Sequence, residues 1–430
     1  MEPVTDIGPK PRRGRRLSGV SLILVATITS GIASYVVTWL VPRQVGLANY
    51  ATFAVFWSFL YLVVGALFGI QQEVTRATTR TDDSTLSRAS KARNFGIVFG
   101  VAIFVFIVAT APLWVDAAFP ANGWSLVWPL AVGTASFVMV AVLCGSLYGL
   151  AQWLPLALMM VADALLRLIA IAIVLTFTSN VVALAWAVAV PFPFTLILLW
   201  PFIRRSVVGQ TQLDVGYRAI TWNVSRTILA AASTGVMVSG FPLLLGLTSQ
   251  GVSKAQIGLF ILSITLTRAP LIVIAMSLQS YFIITFRGNA THFWRTFLRL
   301  QGLVTASGIV LALLGLLLGP AVFGLLFPNE PRPEGWFIAM LVLSSVLVGA
   351  LCISAPAVLA RSQHFVYSVG WVAGAVCTIV ALILPLDFTA RTMLALFAGP
   401  IAGLLVHGGY LASTSRRVLT AIGENHDLPG

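Results

Sequence analysis

The chain is poor in charge, and poorer still in acid. Of its 430 residues only 9% are charged, 13 Asp or Glu against 26 Lys or Arg. Histidine and cysteine are scarcer again, and each shortage excludes something. Cys144, Cys352 and Cys377 all fall in apolar segments, which favours buried small hydrophobes over a disulfide framework or a cysteine metal site. His292, His364, His407 and His426 are scattered, with no His-Glu-x-x-His pair. No Gly-x-x-x-x-Gly-Lys-Ser/Thr loop is present, so the chain carries no nucleotide-driven engine and calls for no cofactor. No pair of outward-facing carboxylates suits glycosyl transfer. Glu330 and Glu334 share a short loop with Arg332 and read as solvated charge. The stretches between apolar runs are too short for a soluble catalytic domain, so an enzyme is not expected.

Apolar sequence is what the chain has in excess, at 58%. Runs long enough to cross a bilayer follow one another throughout, which predicts an all-α polytopic membrane protein. Twelve spans are expected, at about 19–41, 51–70, 95–114, 127–148, 155–176, 182–202, 222–246, 257–283, 301–325, 337–359, 365–386 and 393–412. Gly149 to Pro155 cuts the long run from Val127 to Leu175 into a tight hairpin. The first run is as long as a full span and no A-x-A-like site follows it, which reads as an uncleaved first helix. The net charge of +13 does not point to nucleic acid, because the basic residues sit at membrane edges. With the N-terminus inside, twenty Lys and Arg fall on the inner side and only Arg43, Lys254, Arg332 and Arg391 outside. The positive-inside rule then places both termini in the cytoplasm.

The spans also repeat. Phe119-Pro120, Trp128 and Leu143-Cys144 recur as Phe327-Pro328, Trp336 and Leu351-Cys352 at an offset of 208, and Tyr50-Ala51-Thr52-Phe53 answers Ile257-Gly258-Leu259-Phe260 at 207. Two like halves suit a transporter, whose substrate site lies between them and is exposed to each side in turn. The expected organisation is a basic tail (1–18), a six-helix bundle (19–202), a cytoplasmic linker (203–221), a second six-helix bundle (222–412) and a C-terminal tail (413–430).

Few residues inside the spans can carry chemistry. Arg167 and Asp163 lie one turn apart in the fifth span, and Arg268 stands in the eighth without an acid nearby. Intramembrane charges are costly and face a cavity or a partner by default. Asp163 and Arg167 are either a self-neutralising clip or an anion site with an attached proton or ion site. Arg268 either reaches a neighbouring carbonyl or looks into a cavity beside Pro270. Arg43, Arg76 and Arg226 at span ends read first as interface anchors. Pro191, Pro193, Pro242, Pro356 and Pro400 fall inside spans, where proline kinks a helix and frees carbonyls.

Several of these features together resemble a known family. Arg43-x-x-Gly46-x-x-x-Tyr50, followed by an apolar helix and Gly69-Ile70-Gln71-Gln72-Glu73-Val74-Thr75-Arg76, is similar to the opening of polysaccharide flippases. These are the Wzx-like branch of the multidrug/oligosaccharidyl-lipid/polysaccharide exporter (MOP) superfamily. Gly145-Ser146-Leu147-Tyr148-Gly149 with Asp163-Ala164-Leu165-Leu166-Arg167 resembles the family's glycine-spaced turn and its Glu-x-x-x-Arg, and Gly258-Leu259-Phe260 through Arg268-Ala269-Pro270 its eighth helix. Leu47 stands for the usual Pro, Ala51 for a Gly and Asp163 for the commoner Glu. The resemblance implies two six-helix bundles forming a V. It also implies the plasma (inner) membrane. Its substrate would be a sugar or oligosaccharide on a polyprenyl phosphate or diphosphate carrier, moved from inner to outer leaflet. Membrane lipids and glycosyltransferases of the same pathway are the implied partners. The anion-binding residues would be Arg268, Arg167, Arg43, Arg76 and Arg226, with Asp163 the carboxylate for a coupling H+ or Na+. Three rivals stand beside this reading: a multidrug antiporter of the same superfamily, a polyprenyl-sugar enzyme, and a non-transporting component of a glycan-assembly complex.

Overall fold

A computed structural model of the chain describes residues 19–78, 91–120, 122–208, 211, 213–214, 216–288 and 292–424. It is helical from end to end. Helix α1 (Gly19–Thr78) is followed by α2 (Ala92–Thr110), the short α3 (Val115–Ala118), α4 (Trp124–Gly149), α5 (Trp153–Phe177), α6 (Val181–Ala189) and α7 (Pro191–Val207). The second half comprises α8 (Tyr217–Val238), α9 (Phe241–Thr248), α10 (Lys254–Ser277), α11 (Gln279–Gly288), α12 (Phe293–Leu326), α13 (Gly335–Ala360), α14 (His364–Ile383) and α15 (Phe388–Glu424).

Ten helices among the described residues are long and apolar enough to cross a membrane. The first of them runs for 58 residues. At 1.5 Å per residue that is roughly 87 Å, nearly three times a bilayer core, so it must cross twice. The divide is Gly46, whose φ of 71° lies in the left-handed region and splits α1 into two arms. Helices α8 and α9, bent by 71°, form one further broken span. Counting both arms of α1 and this bent pair gives the expected twelve.

Several boundaries differ from the expected ones in the same direction. The sixth span runs on to Val207, the seventh begins at Tyr217, the ninth at Phe293, and α15 continues to Glu424. The linker therefore shrinks from the expected 203–221 to 208–216, and the expected C-terminal tail is largely helix. Hydropathy marks only the part of a helix inside the hydrocarbon. Backbone hydrogen bonding carries the helix further, through basic turns such as Arg204-Arg205. The expected basic tail lies outside the described residues. The hairpin predicted at Gly149 is present as three residues, turning at Ala151 with φ 53°.

The internal repeat is visible in the backbone. Phe119 and Phe327 are both fully buried, both stand at φ −132°, and both accept a hydrogen bond from the N–H three residues on, at Asn122 and Glu330. This is the predicted offset of 208. Beyond it the register changes. Helix α4 matches α13 end to end at 211, and the Ala151–Gln152 turn (φ 53° and −87°) is repeated at Ser362–Gln363 (φ 59° and −98°). The loop before α13 is three residues longer than its counterpart before α4. The matches of Trp128 with Trp336 and of Leu143-Cys144 with Leu351-Cys352 are therefore not structural equivalents.

The two halves meet along the second arm of α1. That arm packs on α4 at Gly145 and Gly149, where a methyl group would overlap Gln71, Val74 and Thr78. On its other side it touches α8 at Gly69 and Gly235, and α10 at Gly258, whose added Cβ would overlap the Leu47 carbonyl. The glycines of the sequence motifs are thus points where helices approach too closely for a side chain.

Candidate functional site

The polar interior of this molecule is built at two faults in its helices. Pro191 lacks the N–H a continuous helix needs, and the sixth span breaks at Val190 into α6 and α7. Arg167 reaches this fault from α5. Its Nε donates to the Val188 carbonyl in the last turn of α6 at 3.3 Å. Its Nη2 donates to both carboxylate oxygens of Asp163, at 2.9 and 2.8 Å. The guanidinium lies between the rings of Tyr61, on the second arm of α1, and Phe192, on α7, at 5.6 and 4.7 Å from their centroids. Asp163 and Arg167 are therefore a closed ion pair, with Arg167 also satisfying a carbonyl at the α6 end.

The second fault is the α8–α9 bend, where Gly240 and Pro242 interrupt the seventh span. Arg268 is its counterpart to Arg167. It is buried on α10 and donates through Nη2 to the Met237 carbonyl at 2.8 Å, with the Phe241 ring 5.8 Å away. Its Nε is buried with no hydrogen-bond partner among the described residues. Ser58, from the second arm of α1, completes the repair. Its hydroxyl donates to the Ser239 carbonyl at 2.5 Å and accepts from the Leu243 N–H at 3.1 Å. A cation at a helix C-terminus is favoured by the helix dipole, and both arginines occupy such an end. Pro191 and Pro242 break their helices as expected, whereas Pro356 and Pro400 are carried inside α13 and α15.

The other predicted residues lie elsewhere. Arg43 is exposed and stacks over Trp39 at 4.8 Å. Arg76 pairs with Glu73 at 3.0 Å and with Asp214 at 3.2 Å, tying the short linker to the end of α1. Arg226 lies on α8, and its side chain is outside the described residues. The structure thus brings Asp163 and Arg167 together and does not bring Arg43 or Arg76 to them.

Two residues read as featureless in the sequence have partners. Glu330 is half-buried and takes the Leu47 N–H, at the start of the second arm of α1; burial pushes its carboxyl above the usual range, and that hydrogen bond partly offsets the effect. The expectation of a solvated charge does not hold for it, because the longer α12–α13 loop carries it across to the first half. His407 on α15 is fully buried, with Nδ1 3.0 Å from the Ser354 hydroxyl on α13 and Nε2 3.3 Å from the Tyr367 carbonyl on α14. Nε2 facing a carbonyl must be the donor. The Ser354 hydroxyl, also 3.0 Å from the Leu351 carbonyl, serves a neutral or a protonated ring by turning. A histidine inside an apolar run was the available signal.

A cleft of about 790 Å³ opens beside this interior, between the first arm of α1 (Thr27, Gly31, Tyr35, Trp39) and α10 (Leu266, Pro270). Its walls are almost wholly apolar. Arg268 is two residues from Pro270 but does not line the cleft.

No family model matches the chain. Two uncharacterized proteins of Mycobacterium tuberculosis match it throughout: Rv3630 is 30% identical over 415 residues, 95% of this chain and 96% of its own, and Rv1510 is 30% identical over 414 residues, 95% of each. The chain belongs to their family. For this member of that family, solved structures show the fold. An inward-facing multidrug resistance MATE family transporter of the MOP superfamily superposes with a TM-score of 0.68 at 14% identity, over 94% of this chain and 99% of that one. A MOP superfamily transporter from Pyrococcus furiosus, whose binding pocket has reversed polarity, does so with a TM-score of 0.58 at 17% identity, over 93% and 92%. This family member is thus an all-α, multi-pass membrane protein with the fold of the MATE transporters.

Proposed function

We propose that this chain is a transporter that moves a polyprenyl-phosphate- or diphosphate-linked sugar or oligosaccharide from the inner to the outer leaflet, for cell-envelope glycan assembly. The observation that carries this reading is the sign of the interior charge. Asp163 is consumed by Arg167, and among the described residues Arg268 has no acid partner and one unused Nε–H. Such an interior favours an anionic group, and guanidinium forks suit phosphate. The apolar cleft between α1 and α10 supports the same reading, because a lipid tail can remain there while its polar head crosses. Trp39 lines one end of the cleft and Arg43 lies over it, a place for the phosphate on the outer side. On this reading Asp163 is the carboxylate for a coupling H+ or Na+, whose uptake would release Arg167 from the pair to join Arg226 on the anion path. Arg76, held by two acids, serves the linker. On this reading the membrane is the plasma membrane, the distribution of basic residues supports cytoplasmic termini, and glycosyltransferases of the same pathway are the natural suppliers of substrate.

A multidrug transporter is the second reading, favoured by the multidrug proteins among the structural neighbours. Cationic drugs call for a free interior carboxylate, and Asp163 is paired. One experiment separates the two. Depleting the protein should make a lipid-linked sugar accumulate in the inner leaflet while efflux of cationic dyes is unchanged. Normal lipid-linked sugars with impaired dye efflux would reverse the assignment.

A further inference from the structure

A second cavity, of about 670 Å³, lies in the first half, away from the cleft. Its floor is α4, at Met139 and Val142, and its far wall is α7, at Ile197 and Trp200. The start of α2 forms the near wall with Lys91 and Arg93, and the linker covers it at Val208 and Thr211. Ile197, Trp200 and Val208 are 70%, 45% and 66% exposed, so the cavity is a groove open to the surroundings of the helices rather than a closed chamber. In a membrane those surroundings are lipid.

The groove has two chemically distinct parts. Along α4 and α7 it is apolar and runs with the helix axes, as a lipid chain does. At the end where α2 begins and α7 finishes it is basic. Lys91 and Arg93 are exposed at its mouth, and Arg204 and Arg205 occupy the last turn of α7. Among the described residues no acid lines it, and the neighbouring Asp214 is held by Arg76. This end coincides with the membrane boundary, since the apolar runs of α2 and α7 stop there.

We infer that this groove binds an anionic phospholipid, with its headgroup on Lys91 and Arg93 and one chain along Val142, Ile197 and Trp200. The groove's cover is the joint between the halves. The Ala92 N–H donates to the Thr211 carbonyl at 3.2 Å, and the Lys91 N–H donates to the Tyr217 hydroxyl at 2.9 Å. A lipid seated below these bonds holds the joint against α2. The site does not involve Asp163, Arg167 or Arg268, so it stands or falls independently of the proposed substrate.

The full chain, reconstituted in phosphatidylcholine vesicles doped with chain-brominated lipid, tests this. Quenching of Trp200 is read as the difference between the wild type and Trp200→Phe. Chain-brominated phosphatidylglycerol should quench at about 30-fold lower mole fraction than chain-brominated phosphatidylcholine. At about fivefold per cation near an anionic surface, Lys91→Gln/Arg93→Gln should weaken the phosphatidylglycerol effect about 30-fold and leave that of phosphatidylcholine unchanged. Salt should shrink the preference in the wild type, which checks the headgroup contact without any substitution. Equal quenching by the two lipids in the wild type would reduce the groove to ordinary lipid contact. An undiminished preference in Lys91→Gln/Arg93→Gln would remove the headgroup from these residues.

Discussion

Arg167 and Arg268 occupy equivalent situations in different halves, each closing the end of an interrupted helix, yet only one has an acid. That difference makes their substitutions distinguishable. Arg268→Ala leaves the Met237 carbonyl buried and unsatisfied, which costs on the order of 1–3 kcal/mol, and removes the unbalanced interior charge. We expect a protein that still inserts, melts lower and no longer transports. Arg268→Lys should recover part of the transport, since a point charge replaces the fork imperfectly; full transport by Arg268→Ala would take this residue out of the substrate path. For Asp163 and Arg167 the informative measurement is a double-mutant cycle on both stability and transport. Either single neutralisation strands a charge in the membrane and should destabilise more than Asp163→Asn/Arg167→Gln. A stable, inactive double variant assigns the pair to transport, and a stable, fully active one makes it a clip. The arginines themselves were legible because charge inside an apolar run is rare. Their partners, the carbonyls of Met237 and Val188, were not. Every residue has a carbonyl, and only the local break decides which one is left over.

Among the elements, the contact between the α12–α13 loop and the start of the second α1 arm is open to titration. Glu330 binds its proton more tightly in this arrangement than a solvated carboxyl would, because burial holds its carboxyl above the usual range. Acid therefore favours the contact, over the interval just above the ordinary carboxylate value, and rising pH weakens it. Spin labels at Ala48→Cys and Asn329→Cys should move closer as pH falls through that interval, and Glu330→Gln should keep them close at every pH. A distance that ignores pH in the wild type would dissociate Glu330 from the contact. A neighbouring test is steric. Gly258→Val sets a branched side chain against the Leu47 carbonyl and should drive the same labels apart. The α6–α7 and α8–α9 breaks could be anticipated from Pro191 and Pro242. The intact helices around Pro356 and Pro400 could not, since neighbouring helices can absorb a lone proline.

At the scale of the whole molecule, twelve crossings with both ends on the basic side remain to be measured directly. Asn122→Cys should label from outside intact cells and Ser413→Cys only after permeabilisation; surface labelling of Ser413→Cys would overturn the orientation. Composition and run length made the architecture legible, because a bilayer restricts a chain this apolar to spanning helices. The duplication was legible where a turn imposes the same backbone twice, at Phe119 and Phe327. It was misread inside α4 and α13, where apolar residues match by chance and three extra loop residues shift the register. Those extra residues have a consequence of their own. A duplicated machine ordinarily carries a spare, since what one half loses the other still does. Only the second half has a loop long enough to cross to its twin, and Asn122, the counterpart of Glu330, stands in the shorter one. A single protease nick between Pro328 and Glu334 would release that closure outright, while the matching nick beside Asn122 would leave it fastened.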